Sequence, residues 1–366
     1  MRVGRRFLTV VAVLALVAAA CSSSTSTTPS SPTGGTTGPA ADLGSLKIVW
    51  TTEANSYIPQ SKGPIEIGPQ YGLHQKDGDI SEFESHATAI QVLLSGKADV
   101  LAGGFIDGVL LQQQGQDVKT FCPIQGDVSE ILVGVDGVTD LEQVKDPNVR
   151  VGVDSPGGLI NFVMNSVFRA RNMGITVADL QNVKILEDGS LRLAGLAAGE
   201  IDVGSVDPFE KAELEKQIGA ENVHVLSVTA ADTDLFGNAY AATAEWLDSH
   251  QAEATALCAS VLQANRELAG NFDTFVEWAN KYIEPDEDRK VLKVNWDLAR
   301  QYEIWPYNLD LLTPEVVSLN IEVGIESGLL EQSAADFTFE DIVDVRPAQA
   351  ALALIGGEVD PATITG

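Results

Sequence analysis

Four histidines and three cysteines are the side chains of this chain best suited to bond-making or metal chemistry, and their spacing offers neither. His74, His86, His224 and His250 lie far apart, no Cys-x-x-Cys pair occurs, and no acidic loop has calcium-binding spacing. The sequence also lacks a Gly-x-Ser-x-Gly elbow, a Gly-rich phosphate loop and a His-Glu-x-x-His helix. The expectation is a chain that is no enzyme, with no catalytic residue, no metal and no cofactor. Polar residues at helix starts point to recognition instead. Ser155-Pro156-Gly157-Gly158 opens a helix, where free backbone N–H groups and the positive dipole end can hold a polar or anionic group. Ser155 is equally an N-cap, a role worth about 1 kcal/mol with no ligand at all. Asp207-Pro208 reads the same way, as a cap with proline in the first helical position.

The ends fix where these residues work. Arg2, Arg5 and Arg6 precede an apolar run from Phe7 to Ala20 that is too short to span a bilayer comfortably, so residues 1–20 read as a signal peptide. Ala18-Ala19-Ala20-Cys21 resembles a bacterial lipobox, which implies that Cys21 is acylated and becomes the mature N-terminus. Ala18 stands where that motif usually has Leu, and an ordinary secretory cut nearby is the alternative. Residues 21–43 are dominated by Ser, Thr, Pro, Gly and Ala, which bury too little apolar surface to offset the entropy of ordering. This stretch reads as a flexible tether. The protein is expected outside the cell, on the outer face of the membrane.

Twenty-three basic residues face 52 acidic ones, a formal charge of −29 that losing the three leader arginines deepens further. Such a surface repels phosphate backbones and anionic headgroups, so nucleic acid is excluded as a partner and the membrane link falls to the lipid. Cys122 and Cys258 remain, an even pair in an oxidising setting, read as a disulfide or as two buried thiols.

The rest of the chain alternates short β-branched runs with amphipathic stretches, a pattern of mostly parallel sheets with crossover helices. Strands are expected at 46–51, 99–102, 118–121, 131–135, 150–153, 183–185, 202–205, 223–227 and 239–243. Helices are expected at 87–94, 159–171, 191–197 and 208–216, and again at 245–269, 272–282, 286–301 and 314–327. One segment echoes another: LLSGKADVLAGGF at Leu93–Phe105 returns in outline as LAAGEIDVGSVDPF at Leu196–Phe209. In each copy a helix ends at a glycine suited to a left-handed cap, and a strand then begins with Asp-Val. The spacing, about a lobe, favours two lobes built on similar units.

These residues carry a family resemblance. The helix from Ala89 to Val100 fits Ala-x-x-x-Leu-x-x-Gly-x-x-Asp-Val, and Val151-Gly152-Val153-Asp154-Ser155-Pro156-Gly157 fits Val-Gly-Val-x-Ser-Pro-Gly. With the return strand and helix Asn238–Leu247, they resemble the ABC-transporter substrate-binding proteins of the nitrate, taurine, alkanesulfonate and thiamine-precursor group. The resemblance implies an α/β, two-lobe periplasmic-binding-protein-like fold (type II), with mostly parallel sheets and two crossing hinge strands, placed near 131–135 and 239–243. Lobe one is then 44–130 plus 244–366, and lobe two 136–238. In that arrangement both cysteines can sit in lobe one close to the hinge, and the disulfide is the expected form.

The implied function is the solute-binding component of an importer, which captures a small polar ligand between the lobes and presents it to an ABC permease and its ATPase. A lipid-anchored sensor or accessory protein is the alternative. So is an enzyme like the pyrimidine synthases of this fold, although their cysteine-rich iron motif is missing here. Sheets of this kind bind ligands at the carboxyl ends of their strands. That rule selects Thr51, Thr52, Glu53 and Asn55 after the first strand, Ser85, then Phe105 and Asp107 in lobe one. In lobe two it selects Ser155, Gly157, Asp207 and Phe209. The set carries aromatics and carboxylates but no Lys or Arg, which suits a neutral or cationic ligand better than an anion.

Overall fold

The structure is a computed structural model that describes residues 41–51, 62–83, 86–126, 130–155, 158–233, 235–282, 288–301 and 304–364; the side chains of His86, Ala87 and Phe209 are not among the described ones. Ten strands form two five-stranded sheets. The first sheet takes β1 (Ile48–Trp50), β2 (Ile80–Glu82), β3 (Val100–Gly104), β4 (Val118–Pro123) and β10 (Asn238–Thr243), in the order β2-β1-β3-β10-β4. The second takes β5 (Ile131–Gly134), β6 (Val151–Val153), β7 (Val183–Ile185), β8 (Val203–Val206) and β9 (His224–Val228), in the order β7-β6-β8-β5-β9. Each sheet has three mutually parallel strands and then an antiparallel one, β10 or β5, beside its outermost strand.

The internal echo maps onto this equivalence. β3 and β8 hold the same middle place in their sheets, each entered from a helix that ends at a left-handed glycine, Gly96 at φ +68° and Gly199 at φ +66°. An L-residue in that conformation clashes with its own backbone, so glycine there stops the helix and turns the chain into the strand.

Nine of the ten strands fall where alternation and β-branching put them. The exception is β2, whose Ile-Ser-Glu sequence on the sheet edge carries no apolar run to announce it. The long helix expected from Glu245 is two, Ala244–Ser249 and Gln251–Gly270, broken at His250. A helix at Phe105–Gln113 was not among the expected helices. Gly108 lets this helix lie close on β4, where a Cβ would sit 3.1 Å from Thr120 Oγ1.

The two strands expected to cross between the lobes do not themselves cross. The segments 131–134 and 238–243 each belong wholly to one sheet, and the chain crosses in the stretches that lead into them, 124–130 and 229–237. These stretches are tied to each other at both ends. Near the first sheet, Ile124 and Gln125 N–H donate to Asn238 O, and Gly237 N–H donates to Gly126 O. Near the second, Thr229 donates to Glu130 O from both its N–H, at 3.0 Å, and its hydroxyl, at 2.9 Å.

After β10, Ala244–Ser249 packs against β10 itself, and Gln251–Gly270 and Arg346–Leu354 pack against β4. Gln251–Gly270 is buried along most of its length, and Cys258 on it is disulfide-bonded to Cys122 of β4, with Cα atoms 5.6 Å apart. No helix among the described residues is long and apolar enough to cross a membrane.

Candidate functional site

A cavity of about 310 Å³ lies between the two sheets, at the carboxyl ends of β3 and β6. The first lobe contributes Gly104, Phe105, Ile106, Asp107, Leu110, Leu329 and Asn238 of β10, the return crossing contributes Phe236 and Gly237, and the second lobe contributes Asp154, Gly158, Leu159 and Phe162. Most of the wall is hydrocarbon. Phe105 stacks on Phe236 with ring centroids 4.6 Å apart, and both rings are nearly fully buried. Phe105 is therefore both a core residue and a wall of the cavity. Its N–H donates to Gly237 O at 2.7 Å, which joins the start of its helix to the crossing.

The polar groups cluster at two places. Asp107 is buried in the first turn of Phe105–Gln113. A Cβ on Gly103 would sit 3.1 Å from its Oδ2 and 2.6 Å from Thr51 Oγ1, so the two glycines that end β3 make room for this carboxylate and the Thr51 hydroxyl. Thr51 Oγ1 is buried without a hydrogen-bond partner. Across the cavity, Asp154 leaves β6 and turns its carboxylate onto the start of helix Leu159–Ala170. It accepts from the N–H groups of Ser155 (2.7 Å), Ile160 (3.2 Å) and Asn161 (3.3 Å).

Of the residues expected from sequence, Phe105 and Asp107 line the cavity, and Thr51 sits behind Gly103. Ser155 is half-buried beside it, but the helix cap expected of Ser155 is made by Asp154. Asp207 caps helix Pro208–Ile218: its carboxylate accepts from Glu210 N–H at 2.8 Å, and Glu210 returns the contact to Asp207 N–H at 2.9 Å. That is the structural role foreseen for an Asp-Pro pair, and Asp207 does not line the cavity. Thr52, Glu53, Asn55, Ser85, Gly157, the Phe209 side chain and Cys21 lie outside the described residues.

Asp154, Phe162, Phe236 and Asn238 were not singled out in sequence. Asp154 did carry a signal, as an acidic residue between a strand and a helix start. Phe162 and Phe236 reach the cavity only through the folding of a helix and a crossing that no local pattern aims.

A second polar cluster lies where the first crossing enters the second sheet. Glu130, the last residue before β5, receives the Ser205 hydroxyl on an enclosed carboxyl, although the residue as a whole is half-buried. Burial pushes Glu130 up to about 8; the Ser205 hydrogen bond opposes the shift and the charges of Glu210 and Asp207 reinforce it. Glu210 is also raised, by burial and then by Asp207. Among the described residues no group of three or more His, Cys, Asp or Glu side chains is placed to hold a metal ion.

No family model matches the chain, and no curated protein matches it in sequence. Solved structures do match in shape. The ligand-binding component of an ABC-type import system from Staphylococcus aureus, with zinc bound, aligns over 84% of this chain and 99% of its own, at 14% identity and a TM-score of 0.64. The periplasmic aliphatic sulphonate-binding protein of Escherichia coli aligns over 82% and 92%, at 16% identity and a TM-score of 0.62. The periplasmic nitrate-binding protein of Synechocystis aligns over 87% and 90%, at 11% identity and a TM-score of 0.65. Over most of its length the chain has the two-lobe α/β fold of these binding proteins, the fold that the resemblance in its sequence implied.

Proposed function

We propose that this chain is the extracytoplasmic solute-binding component of an ABC importer, a binding protein and not an enzyme, tethered to the membrane by an acylated Cys21. A small organic solute enters between the lobes and is handed to a permease when they close around it. The observation that carries this reading is the cavity, which draws its walls from both sheets and from the return crossing. A solute there touches both lobes only when they are together, so its binding free energy shifts the hinge equilibrium toward closure. Phe105, Asp107, Asp154, Phe162 and Phe236 are the residues assigned to the solute, with Thr51 behind them.

Intact-mass spectrometry of the protein extracted without unfolding from its own membranes tests this. The expected result is a chain that begins at lipid-modified Cys21 and carries one small organic molecule, which is absent from Leu159→Trp, where the larger side chain fills the cavity. A chain without adduct, or an adduct that persists in Leu159→Trp, contradicts the reading.

A further inference from the structure

We propose that the cavity is built for an organic cation and shuts out anions, because the protein's own Asp154 carboxylate already occupies the anion position at the start of helix Leu159–Ala170. This rests on the reading of the cavity as the solute site, and gives that solute its charge. A helix start facing a cavity ordinarily offers free N–H groups to an anion. Here Ile160 and Asn161 donate theirs to Asp154, and Ser155 N–H holds the same carboxylate from the other side. Gly158 is part of the device. A Cβ at that position would lie 2.3 Å from Asp154 Oδ2 and 2.5 Å from Ser155 Oγ, so glycine there lets the carboxylate close onto the helix.

Nothing in the cavity neutralises an incoming anion. Its lining includes Asp107 and Asp154 and no Lys or Arg. The stretches of 41–366 outside the described residues contain no Lys or Arg either, so they supply no hidden counter-charge. Two carboxylates beside the rings of Phe105, Phe162 and Phe236 are what a cation with an apolar body requires: ion pairing at the head and aromatic faces for the rest. The net charge of the whole chain draws cations toward it as well.

Three probes of one shape separate charge from fit: benzylammonium, benzyl alcohol and phenylmethanesulfonate, each titrated calorimetrically into the full chain freed of copurifying ligand. Benzylammonium should bind about ten-fold or more tightly than benzyl alcohol, while the sulfonate gives no heat of binding. Asp154→Asn keeps an acceptor for the helix start, and should bring the ammonium to within about three-fold of the alcohol. Sulfonate binding as tight as that of the alcohol, or an ammonium no better than the alcohol, overturns the inference and leaves the cavity reading standing. Failure of all three probes to bind, or binding unchanged in Leu159→Trp, overturns the cavity reading itself.

Discussion

At the scale of single residues, the site turns on Asp154, whose carboxylate accepts from Ile160 and Asn161 N–H at the start of helix Leu159–Ala170. Val153-Asp154-Ser155-Pro156 announces a strand followed by a capped helix, and Ser before Pro is the usual choice of cap. The structure gives the role to Asp154, whose carboxylate accepts from Ile160 and Asn161 N–H in the room that Gly158, lacking a Cβ, leaves for it. Which of two adjacent polar residues caps a helix depends on the path of a turn, and sequence does not encode that path one residue at a time. Gly158→Ala tests the assignment. The added methyl forces Asp154 off the helix start, and a melting temperature lowered by the equivalent of about 1–3 kcal/mol is expected. A variant as stable as the parent would show that the carboxylate is not held there. Phe105, selected as a ligand residue from its place after a strand, is core as well, because its ring is buried against Phe236 while its helix begins at the cavity.

At the scale of elements, the pattern of short β-branched runs and glycine-terminated helices carried most of the fold. Asp-Val after Gly96 and after Gly199 marks the middle strand of each sheet, and the two sheets share one strand order. The crossings were less legible. The return crossing carries only the short helix Thr229–Asp232, and the pairing of the crossings through Gly126–Gly237 and Glu130–Thr229 joins residues about a hundred positions apart. Glu130 gives the second-lobe end of the hinge a pH dependence. An unfolded carboxyl of this kind titrates near 4.5, whereas burial holds Glu130 up to about 8 in the folded chain. Between those values the folded state keeps a proton that the unfolded state has released, so stability falls as pH rises through the window. Glu130→Gln mimics the protonated form and removes this loss. Thermal melts should show no advantage for the variant near pH 4 and a growing one up to pH 9; an equal offset at both ends of the range contradicts the assignment.

At the scale of the whole molecule, the two lobes meet through an apolar contact and a polar one. Phe162 and Val163 of the second lobe pack into the core of the first. Beside them Arg169 reaches across to Glu322 and Glu326 through exposed ion pairs, which contribute little in water. Within the first lobe, by contrast, the Cys122–Cys258 bond ties β4 to a buried helix and fixes the body from which the crossings depart. The proposed capture mechanism needs two lobes joined by two crossings, and its central claim is that one solute touches both lobes at once. Hydrogen exchange of the protein with and without its copurified solute measures this directly. The account predicts that amides of Phe105–Leu110 in the first lobe and Ile160–Phe162 in the second are slowed together, with one shared dependence on solute concentration. Slowing confined to a single lobe, or found only away from these two segments, would contradict it.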